Sequence, residues 1–196
     1  MNILKLIDIL KEKYKDDVVL RKNNTILLGI GKIPKAKHML FEGLTQDLID
    51  TYLISNYTNR FPEEYIAFLK TFNGANLFTA KITKNGREFA SASFSIYGLP
   101  RTQPFDRPAD MEEPYDLRIE DLARNKALPD TWLKFGHYNR TETFGDRTDL
   151  FIDTLTGKVY CCLKNESDIL EEWESLDVCL CSIFNVMSTR TLDYKY

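Results

Sequence analysis

The stretch best equipped for chemistry is residues 137–153, HYNRTETFGDRTDLFID, which holds one His, one Glu and three Asp. Asp146, Asp149 and Asp153 could offer oxygens to a hard divalent cation, which takes several such ligands. Their spacing matches no closed ligand set, and His38 is the one other histidine of the chain, so a metal facial triad or a His-based relay is poorly supplied. Neither a Gly-x-Ser-x-Gly elbow nor a Cys-His nucleophile motif occurs. A metal-dependent hydrolase is therefore the weakest reading. The charges of this turn read as solvated or facing a partner, and Asp149 as a carboxylate that satisfies backbone donors beside its strand.

The remaining reactive side chains point the same way. Cys161-Cys162 and Cys179-x-Cys181 lack the C-x-x-C spacing of a zinc knuckle or redox motif, and read as buried thiols that behave like small hydrophobes. Gly29-Ile30-Gly31-Lys32 resembles a phosphate loop only briefly, because it lacks the second glycine spacing and the Ser/Thr after lysine that hold phosphate and magnesium. No cofactor and no metal are expected.

The elements that must position these residues are organised around residues 61–78, FPEEYIAFLKTFNGANLF. Pro62 suits a first helical position, Glu63 and Glu64 complement the positive end of the helix dipole, and Tyr65, Phe68, Leu69 and Phe72 form one apolar stripe. Asn73-Gly74 is expected to end the helix in a left-handed conformation and return the chain to the core. An amphipathic helix over Leu4, Ile7 and Leu10 precedes it, ending near Asp16-Asp17, followed by a hairpin of residues 18–20 and 26–30. Thr45 caps a second helix. Residues 81–83 and 89–97 pair around Asn85-Gly86, the strongest short hairpin signal. Residues 101–114 form a long polar loop, residues 115–127 a helix, and residues 132–138, 150–153 and 158–163 a meander. Residues 171–174 are ambiguous between a helical turn and an edge strand, and Ser175 caps a last helix. Helices, strands and a helix in this order favour α+β, with a mostly antiparallel sheet of about five or six strands flanked by helices.

Length and charge narrow the function classes. The 196 residues are 43% hydrophobic, enough for one globular domain. Net charge is −3, but it splits into +5 over residues 1–40 and −8 over the rest, so the body is acidic and suits a basic partner better than nucleic acid. No apolar run of about 18 residues exists to span a membrane, and the charged N-terminal residues do not read as a signal peptide, so the cytoplasm is expected.

Five pieces in order then carry a resemblance: Phe61-Pro62-x2-Tyr65-x2-Phe68-Leu69-x3-Asn73-Gly74; Ile96-Tyr97-Gly98-Leu99; Leu133-x-Phe135-Gly136; residues 149–153 before Gly157-x-Val159-Tyr160; and a closing Ser-rich apolar helix. Together they resemble the SUKH superfamily, the Smi/Knr-like domain, over residues 45–187. The usual acidic-Leu-Gly stretch is replaced by residues 55–61, and the N-terminal forty residues look like an elaboration. The resemblance implies an α+β domain over residues 45–196, with residues 1–44 as an added helix and hairpin of the same domain. It implies no cofactor and, in bacteria, an immunity protein against a toxin, commonly a nuclease; a regulatory interaction module of the Smi/Knr type is the alternative. Pro62, Asn73, Gly74, Gly98, Gly136, Asp149, Gly157 and Tyr160 are the motif's structural positions. The expected partner is a cognate toxin domain, met by Asp106, Asp110, Glu142 and Asp146 on the two polar loops, with Tyr138 as an aromatic anchor.

Overall fold

The computed structural model describes residues 2–21, 23–30, 36–56, 61–84, 86–99, 128–140, 147–163, 168–190 and 193–195. Helix α1 (Ile3–Lys13) leads into β1 (Val18–Leu20), β2 (Ile26–Ile30) and β3 (Ala36–Glu42); α2 (Gln46–Asn56) and α3 (Glu63–Thr71) follow. Then come β4 (Phe72–Lys84), β5 (Arg87–Ile96), β6 (Trp132–Asn139), β7 (Arg147–Asp153), β8 (Val159–Leu163), β9 (Ile169–Trp173), α4 (Leu176–Ser188) and β10 (Asp193–Lys195).

The fold is α+β, built on one sheet. Among the described residues, β1 to β9 lie side by side in chain order with every neighbouring pair antiparallel, and β10 pairs parallel with the far half of β4. The sheet is thus larger than the five or six strands expected. The N-terminal hairpin joins it through β3, which sequence pattern does not reveal because Lys37 and His38 interrupt its apolar run, and residues 169–173 form an edge strand rather than a helical turn. The expected helix over residues 115–127 lies outside the described residues.

The helices cover one face, α2 through Ile49. The main core joins Ile3, Ile7 and Leu10 of α1, Tyr65, Phe68 and Leu69 of α3, and Leu180, Ile183 and Phe184 of α4 to Leu77, Phe94, Phe135, Leu150 and Cys161 of the sheet. Helix caps follow side-chain chemistry: Asn2 accepts from Lys5 N–H, Thr45 from Leu48 N–H and Ser175 from Val178 N–H. α1 stops at Lys13, earlier than the acidic pair suggested.

The two ends of α3 correct two expectations. Pro62 is the cap residue itself, with ψ 143°, and the helix begins at Glu63. No left-handed cap ends α3: its C-cap residue, Phe72, is already extended, and Phe72, Asn73 and Gly74 belong to β4. The extended segment takes over because Leu69 and Phe72 are both buried and the chain enters the sheet without a loop. Gly74 does have the left-handed backbone expected of it, φ +87°, but uses it inside the strand. Between Leu40↔Ala75 and Glu42↔Phe72, β4 spends three residues against two of β3, and Asn73-Gly74 absorb the difference as a bulge. A second irregularity is Phe78, φ +51°, which lets consecutive residues Leu77 and Phe78 both reach the main core.

Candidate functional site

The registers line up two neighbouring rows of residues across the sheet. The first runs Leu40, Ala75, Ile96, Gly136, Leu150 and Cys161 from β3 to β8 and faces the helices. Alternation along each strand turns the adjacent row, Met39, Asn76, Ser95, His137, Asp149 and Cys162, to the opposite face. Its four polar members are buried, with exposures of 7%, 0%, 3% and 3% for Asn76, Ser95, His137 and Asp149. Lys134 joins them on the same face, because the extra residue of a bulge between Lys134 and Gly136 brings His137 round to its side.

Burial forces each group to a partner. Lys134 Nζ lies 2.9 Å from Asp149 Oδ2, an ion pair whose side chains are only 9% and 4% exposed. Ser95 Oγ donates to Asn76 Oδ1 at 2.9 Å. Arg147 Nη2 lies 2.8 Å from His137 Nδ1 and 3.3 Å from Tyr97 Oη, and Tyr97 Oη is 3.1 Å from the same imidazole nitrogen. A guanidinium only donates, so His137 Nδ1 is an acceptor here. Burial pushes the Tyr97 hydroxyl upward against the opposing pull of Lys134 and Arg147, so it stays a neutral phenol. Among the described residues, buried Asp149 Oδ1 and Arg147 Nε have no hydrogen-bond partner.

Ser95, His137 and Asp149 are therefore direct cross-strand neighbours, yet are not wired as a hydrolytic triad. The hydroxyl is committed to Asn76, the imidazole nitrogen to Arg147 and Tyr97, and the carboxylate to Lys134. Of the three aspartates that could ligate a cation, Asp149 is held by Lys134 and Asp146 lies outside the described residues. Burial acts to raise the Asp153 carboxyl, but hydrogen bonds from Leu155 N–H, Thr156 and Thr131 outweigh it and hold the group low. Among the described residues no three His, Cys, Asp or Glu side chains gather as a metal site. Burial raises all four thiols, Cys162 to about 11, which leaves them protonated and weakly nucleophilic at neutral pH.

Several of the motif positions make specific contacts. Asn73 clasps the segment after β5, its Nδ2 donating to Leu99 O and its Oδ1 accepting from Leu99 N–H, both at 2.7 Å, with Gly98 next in chain. A Cβ on Gly136 would lie 2.5 Å from Ser95 O, so only glycine lets β5 and β6 approach here. Tyr160 stacks on Trp132 at 4.2 Å, and Gly157 N–H donates to Asp153 O within the β7–β8 turn. Asp149 answers a lysine rather than the backbone donors expected for it.

The predicted partner-binding residues fall unevenly. Asp106, Asp110, Glu142 and Asp146 lie outside the described residues. Tyr138 is 3% exposed on the helix-side face of β6, and its hydroxyl donates to Glu171 Oε1 at 2.9 Å. It forms the floor of a cleft of about 190 Å³ between β6, β9 and α4, where Arg140, Glu171, Trp173, Ile183 and Arg190 also line the wall. Arg140 Nε donates to that same Glu171 oxygen at 3.2 Å, and Arg190 donates to Asn139 O and Arg140 O. The chain is thus pinned on both sides of residues 141–146, at Arg140 by this cluster and at Arg147 by His137 and Tyr97. Lys134 and Arg147 carry no signal in the sequence, and His137 and Tyr97 stand out there only as members of longer stretches. Period-2 alternation alone would have placed His137 with Leu133 and Phe135.

The sequence model of the SMI1 / KNR4 family (SUKH-1) matches residues 45–182, well over half of the chain. No curated protein and no solved structure matches it.

Proposed function

The chain belongs to the SMI1 / KNR4 family (SUKH-1), and from that premise we propose that it is a non-catalytic immunity protein that binds and neutralises a cognate bacterial toxin domain, a nuclease. The observation that carries the reading is that Arg140 and Arg147, the residues on either side of 141–146, are pinned by Glu171, Arg190, His137 and Tyr97. The flanking residues Arg140 and Arg147 are held in place before a partner arrives, so they need no further ordering on binding. We assign Glu142 and Asp146, with Asp106 and Asp110 of residues 101–114, to the acidic face that meets the partner. Nuclease clefts are basic, so such a face steers encounter and imitates the charge of the substrate. Protection requires that almost no toxin stays free, which means nanomolar affinity, about −12 kcal/mol or stronger.

Tyr138 enters as the base of the adjoining cleft, which becomes available to a partner side chain if Glu171 and Arg140 part. Among the described residues no helix is long and apolar enough to cross a membrane.

The test is coexpression of the toxin domain with the parent and with a quadruple Asp106→Lys, Asp110→Lys, Glu142→Lys, Asp146→Lys variant. The parent is expected to protect cells and the variant to fold but fail. A folded variant that protects equally well removes this face from the interface. A parent that neither binds nor protects leaves the family's regulatory interaction role as the reading.

A further inference from the structure

The outer edges of the sheet are built differently. β9 ends it with Glu171 and Glu172, paired to Arg140 and Lys158, charges that discourage another strand from adding on. β1 ends it with Val18, Val19 and Leu20, exposed at 43%, 40% and 63%. Such an edge offers both apolar side chains and unused peptide groups.

Which peptide groups face outward follows from the ladder. Gly29 N–H donates to Asp17 O and Arg21 N–H to Thr25 O, each at 2.9 Å, so odd-numbered residues of β1 bond to β2. By alternation the N–H and C=O groups of Val18 and Leu20 point away from the sheet. The surrounding sequence, Asp16-Asp17-Val18-Val19-Leu20-Arg21-Lys22, runs from acidic through apolar to basic. Read antiparallel against itself it is complementary in charge.

We propose that β1 pairs with β1 of a second copy of this chain across a two-fold axis at Val19, extending the sheet through both subunits. Val18 of each copy exchanges two backbone hydrogen bonds with Leu20 of the other, and Val19 faces Val19. Asp17 of one copy stands directly opposite Arg21 of the other, on the same face and twice over by symmetry. Neighbouring registers fit worse. Centring on Val18 sets Lys15 against Arg21, and centring on Leu20 sets Asp17 against Asn23. The strand lies in residues 1–44, outside the matched family region, so dimerisation is independent of the toxin-binding reading.

Sedimentation velocity of the full chain across a concentration series is expected to show a reversible dimer that weakens with added salt. Asp17→Arg or Arg21→Asp alone is expected to weaken the dimer at least tenfold, because each creates two like-charge pairs, and the double reversal to restore it to within a few-fold. Val19→Cys supplies a readout that does not depend on those charges. The symmetric pair has Cα atoms about 4.5 Å apart, so mild oxidation should cross-link Val19→Cys protein, while the parent, whose Cys181 is partly exposed, serves as control. A parent that is monomeric throughout overturns the proposal, as does a dimer indifferent to both reversals or a Val19→Cys protein that cross-links no more than the parent.

Discussion

Two rows of residues one position apart in the sheet differ in almost everything except burial. The helix-side row, from Leu40 through Ala75, Ile96, Gly136 and Leu150 to Cys161, is held by area removed from water, and its members need only fit. The opposite row, Asn76, Ser95, His137 and Asp149 with Lys134 and Arg147 beside them, is held by directed bonds in which each group depends on specific partners. Apolar packing degrades gradually as atoms are removed. A polar row fails at the moment a partner is lost, because an uncompensated buried charge or dipole remains.

Matched substitutions on the two faces sharpen that contrast. Phe135→Ala, on the helix side and fully buried, is expected to destabilise by about 3–5 kcal/mol in urea titrations through lost transfer energy and a cavity. Asp149→Ala should cost a similar ~3–5 kcal/mol for a much smaller volume change, since it strands the Lys134 ammonium. The distinguishing measurement is the double variant Lys134→Met, Asp149→Leu, which should recover most of the loss. A double variant as unstable as Asp149→Ala would mean that the ion pair contributes more than its own neutralisation.

The rows stay in phase across β4 because the bulge at Asn73-Gly74 absorbs one residue. Gly74→Val, forcing a β-branched side chain to φ +87°, should therefore destabilise by roughly 1–3 kcal/mol. A melting temperature unchanged from the parent would show that the bulge can relocate. Gly136 marks the corresponding point of β6, where the neighbouring carbonyl leaves no room for a Cβ.

The smallest expected effect brings a charge to the helix-side face. His38 is buried against Tyr14 and Phe78, and its Nδ1 accepts the Phe78 amide at 3.2 Å. Burial, aided by Lys37 and Lys13, lowers its pKa to about 3. The folded state therefore binds the proton less readily than the unfolded chain, whose His titrates near 6.5. Its contribution is complete above about pH 6.5 and falls by at most ~1.4 kcal/mol per pH unit towards pH 3. Urea unfolding at pH 6 and pH 5 checks this; the difference should shrink in His38→Gln, and an equal slope in both proteins would place the acid sensitivity elsewhere.

Much of the architecture was legible because it is local. The stripe of Tyr65, Phe68 and Leu69, the Thr45 and Ser175 caps, the β4–β5 hairpin at Gly86 and the β6–β8 meander each arise from residues within a few positions of one another. Their physics is complete in a short window of chain. Gly74's positive φ was legible too, although its place was not: helix cap and strand bulge ask the same of a glycine, and only the pairing of β3 with β4 chose between them.

What the tertiary structure alone decided is the polar row. Its members come from β4, β5, β6 and β7, and their meeting depends on registers set by distant strands. The bulge at Phe135 reverses the side on which His137 would lie by simple alternation, and with it the partners of Tyr97 and Arg147. A one-residue slip exchanges the two faces of a strand. Residue types along the chain name the groups that could meet, but the exchange is governed by the hydrogen-bond ladder, which no single strand contains.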